Sequence, residues 1–145
     1  MKSVRPYFSV IVFLLVMLTA GSARSQHQYT LTILGLDEKK GTLLIGWYDS
    51  AENFRKADRA VISRKVDVNG QQSANIIFEN INPGTYAIAV FFDRNGDGKL
   101  DTNVLGIPKE KYGFSNNVYP AMRAARFSEA AFEVTGDGSQ VIRLK

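Results

Sequence analysis

The chain has 145 residues, 45% of them hydrophobic and 22% charged, with a formal net charge of +4 at pH 7 and no cysteine. The absence of cysteine excludes thiolate zinc centres, thiol nucleophiles and a disulfide framework. Basic residues are scattered with no sustained block, which argues against a nucleic-acid partner.

The first segment reads as an export leader. Lys2 and Arg5 supply a positive start, and "YFSVIVFLLVMLTA", Tyr7 to Ala20, is an uncharged apolar run. "GSA", Gly21 to Ala23, places small residues at −3 and −1 of a cleavage point after Ala23, the pattern of a secretory signal peptide. The alternative is a membrane anchor, but the run has 14 residues, short of the ~20 that span a bilayer. No cysteine follows the run, so it is no lipoprotein anchor. Residues 1–23 are therefore expected to be a signal peptide and residues 24–145 a single domain, periplasmic or secreted, with no stable membrane insertion of the mature chain. Cleavage removes Lys2 and Arg5 and lowers the formal charge from +4 to +2, so the basic pI is a weak clue. A domain of this size buries an adequate core without disulfides.

After the leader, short apolar alternations are separated by turn signals. "YTLTILGL" sets Tyr29, Leu31 and Ile33 against Thr30 and Thr32. "DEKKG" is a polar turn, and "TLLIGWYD" follows with Leu43, Ile45 and Trp47 on one face. Ser50 to Arg59 is a polar loop or short helical turn with Phe54 as a plug. "AVISRKVDV" aligns Ile62, Val66 and Val68, and Asn69-Gly70 is a hairpin turn signal. "SANIIFENI" turns Ile76 and Phe78 inward. "TYAIAVFFD" points Tyr86, Ile88, Val90 and Phe92 one way and Ala87 and Ala89 the other. A strand apolar on both faces is expected to be central and covered on both sides. Thr102 to Arg126 reads as irregular. "FSEAAFEV" returns to strand with Ala130, Phe132 and Val134 inward, and "QVIRLK" ends the chain with Ile142 and Leu144 inward. About seven regularly spaced strands without a long amphipathic helix predict an all-β sandwich or barrel. The short last strand, with Arg143 and Lys145, suits a protected edge.

The densest chemistry lies in "FFDRNGDGKLDTNVLG", Phe91 to Gly106. Counted from Asp93, side-chain oxygens fall at positions 1, 3, 5 and 9 (Asp93, Asn95, Asp97, Asp101). A glycine, Gly98, falls at position 6, and Lys99 offers its carbonyl at position 7. These are the hard ligands and the sharp turn of a calcium loop. Position 12 is Val104 where a bidentate glutamate belongs, and flanking helices are absent, so this is no EF-hand. The missing ligand falls to water, to Asn103 or to Glu110. All-oxygen ligands suit calcium better than zinc or copper. Lacking the bidentate ligand, the site is expected to be weak, roughly 10⁻⁴–10⁻³ M. The competing reading is a solvated turn, because Asn95-Gly96 and Asp97-Gly98 are both turn dipeptides.

Little else suggests catalysis. His27 is the sole histidine and is expected to sit in a mobile terminus, leaving no Ser-His-acid arrangement. Gly96 and Gly98 do not open a nucleotide fingerprint, since no helix pattern follows. A small hydrolase would need a buried acid pair in a cleft; no enzyme activity is expected. The long stretch Gly106 to Pro120 either covers one end of the core with its aromatics or, through Glu110, Tyr112, Asn116 and Tyr119, presents a surface to a protein, peptide or glycan ligand.

"INPGTYAIAVFFDRNGDGKLDTNVLGIPKEKYGFSNN", Ile81 to Asn117, closely resembles the centre of the bacterial DUF2141 family of uncharacterised exported proteins. The matching runs are P-G-T-Y-A-I-A-V, D-x-N-G-D-G-K-L-D-T-N and G-I-P-K-E-x-Y-G-F-S-N, and the likeness is strong over these 37 residues. A histidine often precedes the first aspartate in that family. Phe92 stands there in this chain, which argues against a histidine role at the loop. The resemblance implies a seven-stranded immunoglobulin/prealbumin-like β-sandwich and no established activity. The sequence thus predicts an exported binding or interaction module with a structural calcium loop. The alternatives are a metal-independent structural protein of the envelope or a small hydrolase.

Overall fold

The computed structural model describes residues 26–37 and 40–145. The expected leader, residues 1–23, and the Glu38-Lys39 part of the first turn lie outside the described residues. Among the described residues eight strands follow one another: β1 (His27–Leu34), β2 (Lys40–Tyr48), β3 (Ile62–Asn69), β4 (Ser73–Ile81), β5 (Gly84–Asp93), β6 (Tyr112–Phe114), β7 (Phe132–Val134) and β8 (Gly138–Arg143). One helical turn, α1 (Phe127–Ala130), precedes β7.

The strands form two sheets over a common core. The first has the order β4-β1-β8, with β1 antiparallel to β4 and parallel to β8. The second runs β3-β2-β5, and β6 and β7 share the far edge of β5. Period-2 alternation puts Tyr29, Leu31 and Ile33 of β1, Leu43, Ile45 and Trp47 of β2, Ile76 and Phe78 of β4 and Ile142 of β8 in the buried interior. Trp47 is its hub. Its indole stands edge-on to Tyr29 and Phe132 with ring centroids 5.5 Å apart, and tilts against Phe78 at 5.2 Å.

β5 is central and covered on both faces, as its two-sided apolar pattern predicts. Ile88, Val90 and Phe92 face the inter-sheet core. Ala87 and Ala89 face a second cluster of Tyr48, Phe54, Phe114, Ala125 and Ala130. Small side chains on that face let α1 and the Phe54 loop approach the sheet closely.

The structure differs from the sequence reading at four places. The stretch read as irregular contains β6, which raises the strand count from about seven to eight. Within "FSEAAFEV" only Phe132–Val134 is strand, because Glu129 accepts the Arg126 N–H at 2.8 Å and closes a helical turn over Phe127–Ala130. Asn69-Gly70 turns the chain but makes no paired hairpin: β3 pairs with β2 while β4 pairs with β1. The type I′ hairpin turn that Asn-Gly favours needs positive φ at both central positions. Here Gly70 has it (+89°), while Asn69 is not among the positive-φ residues. His27 opens β1 rather than a mobile terminus, with Nδ1 3.6 Å from the Asp137 carboxylate.

The outer edge of β5 is closed in pieces. β7 covers Gly84 to Tyr86, and β6 covers Ala89 to Phe91. Between them the Ser115 hydroxyl, fully buried, accepts the Ile88 N–H at 2.9 Å and donates to the Ala130 carbonyl. Ser115→Ala would strand a buried N–H and a buried carbonyl, at a cost of about 1–3 kcal/mol. Urea unfolding should show a lower midpoint with unchanged slope; a midpoint equal to wild type would contradict the bridging role.

Candidate functional site

The acidic loop leaves β5 at Asp93 and returns to β6 through Glu110 and Lys111. Asp93 is 3% exposed, and its carboxylate points back into the loop. Oδ1 accepts the Gly96 N–H at 2.7 Å and Oδ2 the Gly98 N–H at 2.8 Å. Two further side-chain turns follow. Asn95 Oδ1 accepts the Asp97 N–H at 3.1 Å, and Asp97 Oδ1 accepts the Lys99 N–H at 2.8 Å. Such Asx turns coil the backbone tightly. Gly96 and Gly98 supply the left-handed conformations this coil needs, at φ +78° and +77°.

Glu110 braces the loop from the opposite arm. It is 5% exposed, and its two oxygens accept the N–H groups of Arg94 (2.8 Å) and Asp101 (3.1 Å). The Lys109 N–H donates to the Asp101 carbonyl at 2.8 Å, and Thr102 bridges Pro108. Asn95 Nδ2 reaches Asp101 at 3.0 Å. Two buried carboxylates, one from each arm, therefore hold four backbone N–H groups of the outgoing arm.

At the tip, Asn103 organises a tight reversal. Its Oδ1 accepts from Leu105 N (2.9 Å) and Ile107 N (3.0 Å), and its carbonyl accepts from Gly106 N (2.9 Å). Its own N–H donates to the Ile107 carbonyl at 2.8 Å. Val104, Leu105 and Ile107 consequently stand out in solvent at 102%, 79% and 56% exposure.

Of the residues read as calcium ligands, Asp93 is buried, Asp101 is half-buried, and Asn95, Asp97 and Lys99 are exposed. The donor set fits calcium chemically, being all oxygen. Among the described residues, however, no three Asp, Glu, His or Cys side chains gather closely enough to hold an ion. The four residues read as a ligand surface do separate jobs. Glu110 is the inward brace. Tyr112 packs edge-on to Phe114 and Tyr119, at 5.7 and 6.1 Å between centroids. Tyr119 donates its hydroxyl hydrogen to the Arg143 carbonyl. Asn116 Nδ2 donates to the carbonyls of Glu129 (3.2 Å) and Ala131 (2.8 Å).

The run "GFSNN" after the loop is a clamp that sequence reasoning missed. A Cβ on Gly113 would meet Ile142 Cγ2 at 2.5 Å, so only glycine lets β6 lie against β8. Ser115 closes the β5 edge. Asn116 and Asn117 both take left-handed φ, +60° and +51°, which asparagine tolerates better than most residues. Asn117 then reaches β8 like a one-residue strand: Nδ2 donates to Val141 O and Oδ1 accepts from Arg143 N, each at 2.8 Å. Paired asparagines after a strand were the available signal. Beyond the clamp, Arg123 grips Glu129 with two hydrogen bonds, at 2.7 and 2.8 Å. That grip, helped by the Arg126 N–H, holds the Glu129 carboxyl down at about 2.

The family profile described as "Uncharacterized protein conserved in bacteria (DUF2141)" matches residues 31–143, from β1 to the end of β8. The chain belongs to the DUF2141 family. Neither curated proteins nor solved structures match it. The DUF2141 match thus encloses both sheets, the braced loop and the GFSNN clamp.

Glu110→Gln would turn one acceptor into an N–H₂ donor facing a backbone N–H. A loss of about 1–3 kcal/mol follows, and the amides of Arg94 and Asp101 should exchange faster with deuterium. Unchanged exchange at both would contradict the bracing role.

Proposed function

We propose that this DUF2141 protein is an exported, non-catalytic binding module with an immunoglobulin/prealbumin-like sandwich, and that the Asp93–Glu110 loop is its contact element. The bracing of that loop carries the reading. Its backbone is fixed from inside by Asp93 and Glu110, while Val104, Leu105 and Ile107 are left exposed. A pre-organised loop loses little conformational freedom on binding. Engagement of both buried carboxylates with backbone N–H groups supports a non-catalytic role. Export rests on the leader pattern of residues 1–23, and the mature protein recovered from its producing cell should begin at Arg24 on N-terminal sequencing. Retention of Met1 would sink this part.

Within this reading the loop takes up calcium weakly, through Asp93, Asn95, Asp97, the Lys99 carbonyl and Asp101. The hard-oxygen donors support it, as does the second lone pair that each hydrogen-bonded oxygen retains. A metal-independent envelope structural protein is the second reading. It is favoured by one observation: the loop is already held by its own N–H groups. Thermal melts separate the two. At 100 times its dissociation constant a ligand adds ~2.7 kcal/mol, a shift on the order of 10 °C for a domain this size. For a site of about 10⁻⁴ M that requires ~10 mM calcium. A shift abolished by chelator and by Asp97→Ala supports calcium; identical melts with calcium and chelator favour the second reading.

A further inference from the structure

The tip of the loop combines features that serve no purpose inside the fold. Three aliphatic side chains, Val104, Leu105 and Ile107, project from one reversal at 102%, 79% and 56% exposure. An isolated exposed leucine needs no explanation, whereas three together on a convex rigid tip do. The N–H groups of Asn103, Leu105, Gly106 and Ile107 are bonded within the reversal, and Pro108 has none. Four of the five N–H groups of residues 103–107 are thus satisfied internally, which lowers the cost of bringing the tip to an apolar boundary, while the Val104 N–H stays at the hydrated headgroup level.

The charges around the tip are sorted as well. Among the charged residues of 93–111, the exposed ones are Arg94, Asp97, Lys99 and Lys109, three cations against one anion. The acids Asp93 and Glu110 are turned inward to backbone N–H groups. The exposed charge of the segment is therefore mostly positive, with Asp97 exposed and Asp101 half-buried among the three cations, although the segment carries as many acids as bases in sequence. The tip itself holds no aromatic residue. Protein–protein hot spots favour Trp, Tyr and Arg and are poor in Leu and Val.

We propose that the Val104–Ile107 tip docks into the surface of an anionic phospholipid bilayer, the aliphatic side chains entering the headgroup–acyl boundary while Arg94, Lys99 and Lys109 meet the headgroups. This is a peripheral contact and involves no spanning segment; among the described residues no helix is long and apolar enough to cross a membrane. It rests on the reading of the loop as a contact element and not on calcium.

The test is co-sedimentation of the purified protein with vesicles of phosphatidylcholine alone and of phosphatidylcholine with phosphatidylglycerol, in chelator. Wild type should sediment with the anionic vesicles, less with the neutral ones, and less at high salt, where headgroup attraction is screened. Leu105→Ser alone should weaken binding about tenfold, and Leu105→Ser with Ile107→Ser further still, with melting temperatures unchanged because neither side chain reaches the core. Wild type and variants share the same N-terminus, so a difference between them does not come from the apolar run at 7–20. Equal sedimentation of wild type and the double variant overturns the proposal, as does wild type that stays in the supernatant. If the tip variants instead lose a defined protein partner while vesicles are ignored, the contact-element reading survives and the lipid assignment fails.

Discussion

The outer edge of β5 is the constraint on which the rest depends. β5 is the central strand of its sheet, and every second N–H along its outer edge needs an acceptor. The chain meets that need with a succession of different groups. Tyr86 lies opposite Phe132 of β7, the Ser115 hydroxyl serves Ile88, Gly113 of β6 lies opposite Val90, the Lys111 carbonyl serves Phe92, and the Glu110 carboxylate serves Arg94. Residues 110–115 are thereby laid alongside β5 one after another. The shape of the acidic loop and the position of the GFSNN clamp both follow from where that edge lies.

The loop shows how charge can be put to structural use. Asp93 and Glu110 are buried carboxylates, and burying a charge is unfavourable unless hydrogen bonds replace its water. Each receives two N–H donors, so the charge is solvated by backbone dipoles. The result is a turn that holds its form from inside and leaves its cations outside. Sequence order alone shows a balanced mixture of signs; the fold turns Asp93 and Glu110 inward and leaves a rim richer in cations than in acids. The aliphatic tip sits beyond that rim.

Much of the fold was legible in the sequence because it rests on period-2 alternation. Tyr29, Leu31, Ile33, Leu43, Ile45, Trp47, Ile76, Phe78 and Ile142 are buried as the pattern requires, and the two-sided run of β5 marked it as central. What failed to show was non-local. β6 is three residues long and exists because β5 offers an edge. The Asn69-Gly70 signal is local and says nothing about which sheet each arm joins. At the loop, residue types and spacing suggested a calcium loop or a solvated turn, but not that Asp93 and Glu110 face inward, since that depends on a return arm whose register is set by β6. Glu110 was singled out as a distant metal ligand and as part of a ligand surface; its structural position is that of a brace. The exposure of Val104, Leu105 and Ile107 had no signature at all, because an apolar run in a loop reads the same whether it is tucked under or displayed.

The parallel pairing of β1 with β8 has a bearing on how the molecule comes to be. Gln28 and Asp137, whose side chain accepts the Gln28 N–H, are 109 positions apart. β1 precedes every other described strand and β8 follows them, so the β1 edge that β8 covers stays bare until β8 is made. Distant pairings of this kind slow folding, and Asn117, which seals the far side of β8, has nothing to grip until then. Such late closure leaves the three-stranded sheet as a two-stranded ribbon through most of folding, so its completion follows that of the five-stranded sheet.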